Sequence, residues 1–254
     1  MKNNPLYISM VHIFKALIRR PIVPILLFVV PATFFIVIYF TTSEREVPFR
    51  VASLAERVII QVSERNSSLI FFAIASVGFL ASYLALTLIQ KNVSINRRLI
   101  ICGYHPVTIL ISHLLVLLVL IIVISIYVGL SLLLFFSPSN LLLVIVGLIL
   151  SGWVYGCYGL LVGSLIRGEL EGILLIVLLA NIDAGWLQNP LFYAEAQNQV
   201  IIRYLPAYFP SQTSILSAFS DYNIIGEIAS SILYGLVFFI LSVGIYYMKM
   251  KKVK

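Results

Sequence analysis

Six apolar runs, each close to the roughly 20 residues that a helix needs to cross about 30 Å of hydrocarbon, constrain this chain more than any other feature. They cover residues 22–41, 67–89, 113–136, 141–166, 172–189 and 228–247. In lipid every backbone N–H and C=O must be satisfied within the protein, which leaves helices or a closed barrel. A barrel alternates apolar and polar residues over roughly ten-residue strands, whereas Leu141 to Leu150 is apolar on every side. The fold class that follows is an all-α integral membrane protein with six transmembrane helices. Composition agrees: 61% of residues are hydrophobic and 11% charged, with a mean hydropathy of +1.06, against about half and a quarter in soluble domains. The first run is too long for the apolar region of a signal peptide and no small-x-small cleavage site follows it, so it reads as a retained span.

A net charge of +7 raises the question of nucleic acid, but the basic residues sit beside the apolar runs and form no long stripe. Anionic lipid headgroups are their natural partners. The N-terminal tail, the 90–112 loop, the 167–171 turn and the C-terminus hold 12 of the 17 Lys and Arg residues. The positive-inside rule therefore places both termini in the cytoplasm. Cys102 then falls in a cytoplasmic loop and Cys157 inside a span, an arrangement that points away from a disulfide.

The segments between the runs carry patterns of their own. Leu6, Met10, Ile13, Phe14 and Leu17 share one helical face, and Ser9, His12, Lys15 and Arg19 the other. Residues 1–20 thus read as an amphipathic interfacial elbow helix, started by Asn4-Pro5 and turned into the bilayer at Arg19-Arg20-Pro21. Val51, Leu54, Ala55, Val58, Ile59 and Val62 repeat at helical spacing and predict a short amphipathic helix on the outer surface. Residues 190–227, with Pro190, Pro206 and Pro210 among many aromatic and apolar side chains, are too apolar for a free loop and predict short or re-entrant helices at the outer leaflet.

Soluble-enzyme chemistry has no foothold here. No Gly precedes a Lys, so there is no phosphate-cradling P-loop, and His12, His105 and His113 form no HExxH pair. No GxSxG elbow exists for a serine nucleophile. Glu169 and Glu171, two residues apart, point differently on a helix and make a poor metal pair. We expect neither a catalytic nor a metal site. The fourth run carries Gly147, Ser151, Gly152, Gly156, Gly159 and Gly163, which let another backbone approach closely, more readily within the bundle than between subunits. Trp153, Tyr155 and Tyr158 lie in the same run, as core aromatics or as the lining of a substrate path. Asp183, near Asn181, is the acid inside an apolar run, and buried acids in membranes are functional suspects. Either ion or substrate contact fits it.

The loop after the second run reads Gln90-Lys91-Asn92-Val93-Ser94-Ile95-Asn96-Arg97-Arg98-Leu99-Ile100-Ile101-Cys102-Gly103-Tyr104-His105-Pro106-Val107-Thr108. A basic stretch, a short apolar helix and a Pro-containing turn leading into the third span resemble the permease subunits of type-2 ABC exporters. The elbow, the 164–169 connection and the Gly185 to Pro210 segment fit the same family, so the resemblance covers nearly the whole of residues 1–254 as a single permease domain. It implies that residues 90–108 hold a cytoplasmic coupling helix between spans 2 and 3, with Lys91, Arg97, Arg98, Gly103 and Pro106 as ATPase-coupling residues. The acidic residue that many members carry near the two arginines is missing here. The resemblance further implies an ABC ATPase subunit as partner, with ATP and Mg bound on that chain and no cofactor on this one. A second permease subunit, in a homodimer or heterodimer, would complete a path between the two bundles. Trp153, Tyr155, Tyr158, Asn181 and Asp183 are the candidate path residues, an amphiphilic peptide, drug or lipid-like molecule the candidate cargo, and a prokaryotic cell membrane the expected location. The alternative is a secondary transporter driven by an ion gradient through Asp183; such proteins show internal repeats, and residues 1–127 and 128–254 show none that convinces. A membrane anchor or scaffold and an intramembrane enzyme rank below both.

Overall fold

A computed structural model describes residues 5–19, 22–50, 59–166, 168–189 and 199–251. Helix α1 (Pro5–Ile18) precedes α2 (Ile22–Thr41), and a two-stranded antiparallel hairpin, β1 (Glu46–Arg50) and β2 (Ile59–Ser63), leads to α3 (Glu64–Gln90). The short α4 (Val93–Ile101) joins α3 to α5 (Pro106–Leu132), and α6 (Leu141–Leu165) follows. Helix α7 (Glu169–Ile182) runs into a wide π-type turn at Asp183–Leu187. Two short helices, α8 (Gln199–Arg203) and α9 (Tyr208–Phe219), precede the last long helix, α10 (Ile225–Lys251). Among the described residues, α2, α3, α5, α6, α7 with its π-type turn, and α10 are long and apolar enough to cross a membrane. The protein is an all-α, multi-pass membrane protein.

Helix starts explain where the spans depart from the apolar runs. Helix α3 begins at Glu64 and not at 67, because its polar first turn is tied down: Glu64 accepts from Arg45 Nε at 2.6 Å and from Ser43 Oγ at 2.9 Å, and Arg65 pairs with Glu44. Helix α5 begins at Pro106 and not at 113. Pro106 needs no hydrogen bond in a first turn, and the Val107 N–H donates to the His105 ring at 3.3 Å.

The outer amphipathic helix expected over 51–62 is corrected at its C-terminal end. Ile59 and Val62 lie in β2, paired with Arg50 and Val47 of β1. The run Ile59-Ile60-Gln61-Val62 is β-branched at three of four positions, which favours the pleated conformation once a partner strand is at hand. Val51, Leu54, Ala55 and Val58 lie outside the described residues. The same holds for Asn4, Arg20 and Pro21 of the elbow, for Arg167 of the 164–169 connection, and for Pro190. Of α1 itself, Leu17 is buried and Met10 and Ile13 pack against the core, whereas Phe14 is exposed.

Helix α6 is the centre of the bundle, packed against α3, α5, α9 and α10. Its small residues make this possible, and each is used within the chain. A Cβ at Gly159 would strike the backbone carbonyl of Ser82 on α3 and lie 2.8 Å from its Cα; one at Gly147 would lie 2.8 Å from the backbone nitrogen of Ser214 on α9. Gly152 and Gly156 face Ile121 and Leu117 of α5. Interhelical hydrogen bonds fix the same seams: Ser151 Oγ donates to Ile74 O at 3.2 Å, and Ser164 and Ser242 share a 3.2 Å bond between α6 and α10. Helix α9, almost wholly buried, returns into the bundle against α6, as the apolar character of 190–227 predicts for this part.

Candidate functional site

Helix α4 is built to stand out from one end of the bundle. Asn92 Nδ2 donates back to Leu88 O at 2.9 Å, and the nine-residue helix that follows is stopped at Gly103. The Gly103 N–H donates to Ile100 O and the Tyr104 N–H to Leu99 O, both at 3.0 Å, which closes a Schellman motif. Gly103 carries φ +96°, a backbone conformation that a side chain strains. Pro106 then opens α5, and His105 stacks on Tyr247 of α10 with ring centroids 5.9 Å apart. Thus Gly103 and Pro106 set the turn from α4 into α5, and Asn96 and Ile100 are buried on the inner face of α4. The outer face presents Ile95, Arg97, Arg98 and Ile101, the last 73% exposed. Neither arginine has an acidic partner among the described residues. Lys91 is different, since its Nζ pairs with Glu169 Oε1 on α7 at 3.0 Å.

A second arrangement centres on Asp183, at the start of the π-type turn that ends α7. Its carboxylate is fully buried and accepts three hydrogen bonds, from Tyr155 Oη at 2.6 Å, Gln188 Nε2 at 3.0 Å and the Ala207 backbone N–H at 2.8 Å. Asp183 therefore joins α6, the end of the fifth span and the turn before α9. Gly185 lies inside the turn, and the turn folds Asp183 inward.

The other candidate path residues separate. Tyr158 stands beside Tyr155, with rings 6.4 Å apart and nearly perpendicular, and reaches Phe238 of α10. Trp153, two residues before Tyr155, faces α10 and donates from Nε1 to Ile232 O at 3.3 Å. Asn181 is exposed on α7. Tyr155 thus meets both Asp183, by a hydrogen bond, and Tyr158, by ring contact, while Trp153 faces another neighbour. Gln188 and the Ala207 amide were not legible as members of this group: a glutamine five residues after an intramembrane acid is a signal, but a backbone donor in a distant turn leaves no mark in the sequence.

Glu169 and Glu171 begin α7, where acidic side chains suit a helix N-terminus. Gln90, the last residue of α3, donates from Nε2 to Ile166 O at 3.3 Å and to Gly168 O at 3.2 Å. Cys102 is exposed and Cys157 buried, and neither is in a disulfide.

A family model described as ABC-2 family transporter protein matches residues 65–243, from the first turn of α3 into α10. The match takes in α4, the Asp183 arrangement and the junction of α3 with α7. No curated protein matches the chain.

Proposed function

Because the chain belongs to the ABC-2 family of transporter proteins, we propose that it is the permease subunit of an ATP-driven exporter, energised by an ABC ATPase on a separate subunit. The observation that carries this reading is α4, a short helix stopped at Gly103 and turned into α5 at Pro106, seated by Asn96 and Ile100, with an apolar and arginine-bearing outer face that is exposed among the described residues. Arg97, Arg98, Ile95 and Ile101 supply the docking surface. Gly103 and Pro106 supply the turn into α5. ATP and Mg belong to the partner.

In this reading the charge bias sets both termini and α4 in the cytoplasm, and the protein resides in a cell membrane. Two permease bundles, identical or not, face each other. Closure of the ATPases displaces α4, and the displacement passes to α3 and α5, the spans that α4 joins. The cargo, an amphiphilic peptide, drug or lipid-like molecule, leaves between the bundles. Asn181, a polar side chain on the exposed face of α7, belongs on that path. Tyr155 and Asp183, closed within one bundle, hold the bend of the fifth span that shapes it, while Tyr158 and Trp153 pack α6 against α10.

The alternative, an ion gradient acting through Asp183, is less favoured by the geometry, because three donors already occupy the carboxylate. Affinity purification from mild detergent tests the exporter reading. The wild type carries an ATPase subunit with it, and the variant Arg97→Glu/Arg98→Glu loses it. An ATPase equally abundant with both would overturn the assignment of α4 as the docking element.

A further inference from the structure

The junction between α3 and α7 does more than close a turn. Helix α6 ends at Leu165, and the last carbonyls of a helix have no partner within it. Here side chains from two other spans take the carbonyls of Leu165, Ile166 and Gly168. Lys249 of α10 donates to Leu165 O at 2.6 Å, and the Gln90 amide of α3 bridges Ile166 O and Gly168 O. Next to it, Lys91 pairs with Glu169 in the first turn of α7. Gly172 allows the close approach, since a Cβ there would lie 2.8 Å from Leu86 Cδ1 and 3.0 Å from Gln90 Nε2. Gln90 and Lys91 are also the two residues that lead from α3 into the α4 loop. The start of the fifth span is therefore held by the same two residues that carry α4.

We propose that Gln90, together with the Lys91–Glu169 ion pair, is a transmission latch that makes α7 follow α4. The proposal rests on the exporter reading above. Gln90 and Glu169 act as positioning residues, touching neither nucleotide nor cargo. Without the latch, α4 still moves with the ATPase, but the motion reaches α3 and α5 without reaching α7.

The test uses the complex of the full chain with its ATPase, in lipid vesicles and in a Cys102→Ser background. An environment-sensitive maleimide fluorophore is placed on α7 at Leu174→Cys, a position 60% exposed. With the latch intact, ATP plus vanadate shifts its emission. Gln90→Leu and Glu169→Lys are each expected to reduce that response at least fivefold while the ATPase still co-purifies. Combining Glu169→Lys with Lys91→Glu is expected to restore it, which a loss of folding would not allow; should Gln90→Leu fold poorly, the charge-reversal pair decides the matter. A full response in both single variants overturns the latch and leaves the exporter reading standing. The absence of any response with the latch intact overturns both.

Discussion

Helices α6 and α7 follow one another in the chain and differ in almost every physical respect. Helix α6 has lost side-chain volume wherever a neighbour must come close, and its most apolar stretch is 56% buried within the chain, whereas that of α7 is 28% buried. Helix α7 instead exposes Leu170, Leu174, Leu178, Ile182 and Trp186, a stripe at four-residue spacing along one face. The first is a frame, specified by close backbone contact. The second is tied at its two ends, by Gln90 and Glu169 at one and by Asp183 at the other, packs Gly172, Ile176 and Ala180 inward against α3 and α6, and turns its other face outward.

Substitutions at the frame should therefore have the largest effects on folding. Gly159→Leu forces side-chain atoms into the Ser82 backbone, and overpacking of this kind costs about 3 kcal/mol; the amount of monodisperse protein on size-exclusion chromatography is expected to collapse. A normal yield would mean that the α3–α6 seam is looser than described. Next comes the held end of α7. Tyr155→Phe removes the 2.6 Å donor from a buried carboxylate, at about 1–3 kcal/mol, seen as a lowered thermal midpoint in detergent, and Asp183→Asn is expected to be of similar size. If Asp183→Asn instead left stability intact and changed ion dependence, the ion-gradient reading would regain ground. At the other end Glu169→Gln breaks a half-exposed pair, for about 0–1 kcal/mol, so stability barely moves. The smallest effect belongs to the stripe: Leu174→Ala with Leu178→Ala is expected to stay within about 0.5 kcal/mol of wild type per site. A large loss of stability there would show that the exposed face of α7 is covered in the working assembly, and comparing monomeric with dimeric fractions on the same column would reveal by what.

The sequence and the structure agree where one physical rule dominates. Six spans follow from length and hydrophobicity alone, and the small residues of α6 announce close packing within the bundle, which Gly147, Gly152, Gly156 and Gly159 provide. The resemblance implies a helix somewhere within 90–108; the structure has one at Val93–Ile101, and its stop at Gly103 comes from the structure alone. Disagreement arises where two patterns compete. Ile59 and Val62 fit a helical repeat and a β-branched strand equally well, and pairing with Glu46–Arg50 decides for the strand. Among the candidate path residues, Tyr155 and Asp183 are 28 positions apart and meet through the path of the backbone, while Trp153, only two positions from Tyr155, faces the opposite side. Gln90 ends the second span as an unremarkable polar residue, and its two carbonyl partners, more than seventy positions away, are backbone groups that no residue type reveals.

The central proposal is that a separate ATPase engages this chain at α4. A photo-crosslinking residue at Ile101, 73% exposed on α4, and the same residue at Leu134, 82% exposed at the opposite end of the bundle, test it side by side in intact cells. The account predicts an adduct with an ATPase subunit from Ile101 and none from Leu134. An adduct from Leu134, or none from Ile101 while the complex still co-purifies, would contradict it.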